Sequence, residues 1–192
     1  MYYIFHGADE FSRAEQVQKF RAQMGDPQFA DLNTAQLDGR KITLSELTHA
    51  CDAAPFLTDK RLVIVEGMLA RFDPRRKKSE DEAGESIEEE TNPDLAKELA
   101  AYLPRVPETT RLIFVEAKTL AKNNPIVKRA ADDKNAHVKE FAAPDQKKLP
   151  SWIAERVKHK GGAMEPEAIQ ELAAHIGGDL RLLDNEIEKL LT

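Results

Sequence analysis

Large apolar residues along this chain follow two rhythms, and the change falls near residue 142. Over the first part, short unbroken apolar runs alternate with stretches of helical spacing. Residues 2–5, 62–65, 111–116 and 136–141 predict strands. In Leu62-Val63-Ile64-Val65 and Leu112-Ile113-Phe114-Val115 the apolar residues are continuous and bounded by charge, the pattern of a strand buried on both faces, as in a parallel sheet. A weaker strand is predicted over 30–37. Phe11, Val17, Phe20 and Met24 keep helical spacing up to Gly25. Thr43, with Glu46 three residues on, predicts a capping box opening a helix over 44–53. Pro55 ends that helix, because its ring biases the preceding residue away from helical angles. Further helices are predicted over 93–102 and 125–131. This alternation predicts a three-layer parallel α/β domain over 1–142. From 143 to 192 no strand-like run remains. Three helices are predicted there, over 150–160, 166–176 and 179–191, separated by Gly161-Gly162 and Gly177-Gly178, which supply the positive φ that ends helices.

Charge changes the picture in one region. The 192 residues carry a formal charge of −6. Residues 79–94 hold eight acids and no base, so the remainder stands at about +2. Just before them lies a basic block of Arg71, Arg75, Arg76, Lys77 and Lys78. With so little apolar surface to offset chain entropy, residues 71–92 are expected to be a mobile insertion, with nucleic-acid contact as the competing reading of the basic block. The chain has no apolar run approaching the roughly 18–20 residues of a membrane span. Met1 runs directly into Tyr2-Tyr3-Ile4-Phe5 without a secretory pattern. A single cysteine, Cys51, excludes an internal disulfide and fits a reducing compartment, so a cytoplasmic location is expected. The amphipathic helix at the C-terminus stops without a polar tail, and a fragment of a longer protein is expected.

An α/β domain followed by a small helical lid has the outline of an AAA+ module. Such a module predicts a phosphate loop G-x-x-x-x-G-K-[ST] after the first strand, whose backbone amides, lysine and hydroxyl hold a nucleotide and Mg²⁺. The corresponding run is Gly7-Ala8-Asp9-Glu10-Phe11-Ser12-Arg13-Ala14. Arg13 falls at the lysine position and Ala14 at the hydroxyl position. Asp9 and Glu10 would repel a polyphosphate by about 1 kcal/mol or more each. Only Gly7 survives, so nucleotide binding in the usual way is not expected, and no cofactor is predicted. Glu66 and Glu116 close two buried strands and are read as solvated ends. Five histidines without ligand spacing and one cysteine make no metal set. Ser151 is read as a helix cap and Trp152 as a domain-interface core residue. No residue is a candidate for catalysis.

One connector stands out. In Pro55-Phe56-Leu57-Thr58-Asp59-Lys60-Arg61, two large apolar neighbours sit in a loop, where both cannot count on an inward slot. They either plug a helix–strand corner or stand exposed as an apolar anchor for a partner. The motifs Tyr3-Ile4-Phe5-His6-Gly7-Ala8-Asp9-Glu10-Phe11, Pro55-Phe56-Leu57, Lys60-Arg61-Leu62-Val63-Ile64-Val65-Glu66, Leu149-Pro150-Ser151-Trp152-Ile153 and Gly177-Gly178-Asp179-Leu180-Arg181 occur in this order along nearly the whole chain. In that order and spacing the sequence resembles the delta-subunit family of the bacterial DNA polymerase III clamp loader. The resemblance implies an accessory subunit that is not itself an enzyme, grips the sliding clamp and opens one interface of its ring. It implies that Phe56 and Leu57, after Pro55, enter an apolar pocket of the clamp, which favours the exposed-anchor reading. It also implies that Arg181 is a vestige of a second-sensor arginine, and that a C-terminal collar, lacking here, joins the other clamp-loader subunits. Primer–template DNA would be met only in the full assembly, at a cytoplasmic, nucleoid-associated replisome with no membrane contact. The competing readings are an AAA+-like ATPase or kinase with a degenerate loop, and a scaffold binding through its charged insertion.

Overall fold

The computed structural model describes residues 1–25, 27–74 and 93–192. Its chain divides into two compact units, Met1–Phe141 and Ala142–Thr192. Five strands form the first: β1 (Tyr2–His6), β2 (Thr34–Asp38), β3 (Arg61–Glu66), β4 (Thr110–Glu116) and β5 (Ala136–Glu140). All pairings are parallel and the order is β2-β3-β4-β1-β5.

Side chains along a strand alternate between faces, so each run feeds two cores. Tyr2, Ile4, Val63, Val65, Leu112 and Phe114 enter one, together with Leu47 and Cys51 of α3 (Leu44–Asp52), Leu99 and Tyr102 of α4 (Pro93–Tyr102), and Ile126 and Ala130 of α5 (Pro125–Ala131). Phe5, Leu62, Ile64 and Ile113 enter the other, with Phe20 of α1 (Glu10–Ala22) and, at its margin, Ala30 of α2 (Pro27–Leu32). Helices therefore cover both faces, and β3 and β4 read as unbroken apolar runs because neither of their faces meets water. The capping box is present: Glu46 N donates to Thr43 Oγ1, and Thr43 N donates to Glu46 Oε2.

Three local expectations need correction. Residues 30–37 are not one strand. The helix α2 takes Pro27–Leu32, and only Thr34–Asp38 pairs with β3. The charged segment also begins later than residue 71. Leu69–Phe72 is a 3₁₀ turn, Phe72 is buried in the first core, and Arg71 Nη1 donates to Gly39 O and Ile42 O at 3.1 and 3.3 Å. The rest of that segment, residues 75–92, lies outside the described residues. Finally, Ser151 does not cap its helix. It is the third residue of α6 (Leu149–His159), which follows Lys148 with no side-chain cap.

The second unit consists of α6, α7 (Pro166–Ile176) and α8 (Leu180–Leu190). Leu149, Ile153 and Val157 of α6, and Leu180, Leu183 and Ile187 of α8, are buried at helical spacing. Between these two helices run Arg156 Nε to Asp184 Oδ1 at 2.5 Å, Lys160 Nζ to Asp184 Oδ1 at 3.1 Å and Lys160 Nζ to Glu188 Oε2 at 2.8 Å. Burial pushes the Asp184 carboxyl up, but the bonds from Arg156 and Lys160 outweigh it and leave it below the usual range. Gly177, at φ 70, ends α7.

Candidate docking site

The connector from α3 to β3 is pinned at both ends. Thr110 Oγ1 donates to Cys51 O at 2.7 Å, Tyr102 OH to Asp52 Oδ1 at 2.7 Å, and Arg61 Nε to Ala50 O at 2.7 Å. Lys60 Nζ reaches Glu108 O at 3.1 Å, and Thr58 Oγ1 closes onto Lys60 O at 2.9 Å. Burial pushes the Cys51 thiol up to about 12, so this cysteine is packing material and not a reactive thiol.

Between these pins the chain presents its apolar pair. Phe56 is 56% exposed and Leu57 73%, while Pro55 before them is half-buried. Leu57 has φ 53, the one non-glycine residue at positive φ among the described residues. Covering both side chains would recover on the order of 3 kcal/mol of apolar transfer free energy, before any entropy of association. One further contact holds the loop: Phe56 N donates to Asn33 Oδ1 at 2.6 Å, and Asn33 Nδ2 donates to Phe56 O at 2.8 Å. Asn33 was not singled out in the sequence. A lone asparagine after a short helix signals a helix end, and nothing local announces a partner 23 residues away. Leu32, beside it, is 62% exposed and was equally silent.

The phosphate-loop position is built differently. Only Gly7, Ala8 and Asp9 separate β1 from α1. Asp9 Oδ1 accepts from Ser12 N at 2.9 Å, so the carboxylate of Asp9 occupies the anion-favouring end of α1. Arg13, buried, donates through Nη1 to Gly7 O. Gly7 has φ 127, and a Cβ there would lie 2.2 Å from Phe141 O, so the turn is pressed against the chain after β5. Gly7 N donates to Glu116 O at 3.2 Å and Asp9 N to Phe141 O at 2.9 Å.

Glu66 and Glu116 part company. Glu66 is exposed and accepts from Gln36 Nε2 at 2.8 Å. Glu116 is 1% exposed, contrary to the solvated end expected of it. Its carboxyl accepts from Leu69 N at 2.6 Å and Ala70 N at 3.2 Å, fastening the 3₁₀ turn to the end of β4. Burial pushes its pKa up to about 7 in spite of those bonds and of Arg13 nearby. Arg181 lies exposed in the first turn of α8, in the second unit, behind the cap that Asp179 Oδ1 makes with Leu182 N at 2.9 Å. Among the described residues no group of histidine, cysteine, aspartate or glutamate could hold a metal ion. Nor, among them, is any helix long and apolar enough to cross a membrane.

A parallel five-stranded sheet between helical layers, followed by a compact helical unit and carrying a closed turn where a phosphate loop would lie, defines an AAA+-like module. The family model described as DNA polymerase III, delta subunit, matches residues 3–142, and the chain belongs to that family. Among solved structures it is similar to the DNA clamp loader delta protein of Bacillus subtilis, at 21% identity and a TM-score of 0.77, covering 99% of this chain and 52% of that one. A DNA polymerase III gamma subunit-related protein from Thermotoga maritima aligns at 14% identity and a TM-score of 0.49, covering 99% of this chain and 53% of that one. The first likeness is one of fold, and the second carries no argument. The chain spans about half the length of the Bacillus protein it matches. No curated protein matches it.

Proposed function

We propose that this chain is the clamp-gripping subunit of a DNA polymerase III clamp loader. On this reading it binds the sliding clamp through Phe56 and Leu57, with Pro55 shaping the approach, and holds one interface of the ring open. The observation that carries the reading is the exposure of two adjacent large apolar side chains on a pinned loop, in a chain of the delta-subunit family. The subunit performs no chemistry of its own. A protein that prefers the opened ring shifts the clamp's equilibrium by its difference in affinity for the two forms, and by no more. The self-capped turn at Asp9 and Arg13 supports a role without nucleotide, and Arg181 is then a second-sensor position with no phosphate to sense. Contacts with other clamp-loader subunits through a collar of the family's kind belong to the same proposal, as do contacts with primer–template DNA in the full assembly at a cytoplasmic replisome.

Surface plasmon resonance against the sliding clamp of the same organism tests it. Phe56→Ala combined with Leu57→Ala is expected to weaken binding by about 100-fold or more, as loss of a central apolar anchor does. The melting temperature is expected to stay within about 2 °C, because exposed side chains contribute little to their own fold. Wild-type affinity in the double variant would overturn the proposal.

A further inference from the structure

Asn33 commits both of its carboxamide protons and its carboxamide oxygen to backbone. It is 0% exposed. One Nδ2 proton goes to Phe29 O at 2.9 Å and the other to Phe56 O at 2.8 Å, while Oδ1 accepts from Phe56 N at 2.6 Å. Its own carbonyl accepts from Leu62 N at 2.8 Å, at the start of β3. One residue thus ties the last turn of α2, the Phe56 peptide and the β3 ladder together. The next residue, Leu57, stands at φ 53 with its side chain in water. A left-handed non-glycine residue is strained, and an exposed side chain returns nothing to the fold to offset it. Such a conformation persists only where its surroundings over-determine it, and the pair of hydrogen bonds from Asn33 to Phe56 N and Phe56 O does so.

We infer that Asn33 is the positioning residue of the docking loop: its carboxamide holds the Phe56 peptide so that Phe56 and Leu57 are presented in their binding conformation before the partner arrives. This rests on the reading of Phe56 and Leu57 as the clamp anchor. A loop ordered in advance has already met the entropic cost that a free loop meets on association, and the saving appears as affinity. Phe56 and Leu57 make the contact, while Asn33 acts through them.

The experiment pairs clamp affinity with amide hydrogen exchange on the free chain. Asn33→Ala is expected to weaken clamp binding about tenfold. It is expected to speed exchange at Leu57, whose N–H lies in the peptide that Asn33 Nδ2 holds by its carbonyl, and at Thr58 beyond it, while the amides of β2 and β3 keep their protection. Asn33→Asp keeps the acceptor for Phe56 N and loses both donated bonds. Its affinity is expected to lie at or below that of the alanine variant near neutral pH, where an ionised oxygen would face Phe29 O and Phe56 O, and to rise as pH is lowered and a regained proton restores one of the two donated bonds. If the alanine variant does not fold, Asn33→Ser, which keeps an uncharged donor and acceptor at the position, carries both measurements. Unchanged exchange at Leu57 and Thr58 overturns the inference, and so does exchange that rises equally throughout β2 and β3, which would make Asn33 a general fold residue. Wild-type clamp affinity in Asn33→Ala, in a chain that does bind the clamp, overturns it too. Failure of the wild-type chain to bind the clamp removes the proposed function instead, and the exchange data then decide the role of Asn33 by themselves.

Discussion

Glu116 and Glu66 occupy the same place in nearly the same sequence, each the last residue of an apolar strand, yet one is buried and the other exposed. The difference is not local. β4 is the central strand of the sheet, and the 3₁₀ turn at Leu69–Phe72 closes over its end. The partners of the Glu116 carboxyl come from 46 and 47 residues away, beyond what any sequence window reports. Its consequence is measurable. With the folded pKa raised to about 7 from 4.5, the native state holds a proton that the unfolded chain has released. Stability therefore falls as pH rises through that window, by up to about 1.4 kcal/mol per pH unit, and levels off above it. His6 works in the opposite sense. Burial lowers its pKa from 6.5, with Glu140 opposing, so it adds stability as pH rises toward 6.5. Glu116→Gln separates the two. The stability advantage of wild type over this variant, from urea unfolding, is expected to shrink steadily between pH 5 and 7; a constant difference would refute a buried, protonated Glu116. Gly7→Ala belongs to the same scale. With φ 127 and Phe141 O 2.2 Å from the added carbon, it is expected to cost about 2 kcal/mol or more, read from the same unfolding curves.

At the scale of elements, what could be read was what periodicity encodes. β1, β3 and β4 are legible because burial on both faces demands unbroken apolar runs, and α3 because its capping box is written in two residues. β2 is an edge strand of half-buried residues, and with Ala30 and Leu32 upstream its pattern blurs into α2. The exposed pair at Phe56 and Leu57 was legible as an anomaly, but Asn33 was not, because a carboxamide that grips a distant peptide leaves no periodic trace. The turn from β1 to α1 was legible by what it lacks. Three residues, a capping carboxylate and an arginine bonded back to Gly7 O leave the helix end satisfied by its own chain. Saturating ATP·Mg²⁺ is accordingly expected to leave the melting temperature unmoved. A working site at about 100 times its dissociation constant would add about 2.7 kcal/mol, a rise no thermal scan would miss.

At the scale of the whole molecule, each unit has buried residues of its own. Both apolar cores of the sheet are composed of residues from Met1–Phe141, and so is every residue invoked in docking: Asn33, Pro55, Phe56 and Leu57. The helical unit has its own buried rows on α6 and α8 and its own charge pairs around Asp184. If docking is a property of the loop and the scaffold beneath it, residues 1–141 alone are expected to fold cooperatively. They are expected to bind the sliding clamp within about threefold of the full chain, a difference of less than 1 kcal/mol. Residues 142–192 alone are expected to show no binding. The measurement is a pair of titrations at one salt concentration, since the charged groups around the loop make affinity sensitive to screening. A drop of about 100-fold on removing the helical unit would mean that about 2.7 kcal/mol of the grip lies outside the Phe56 loop, and the clamp contact would then have to be sought on both units.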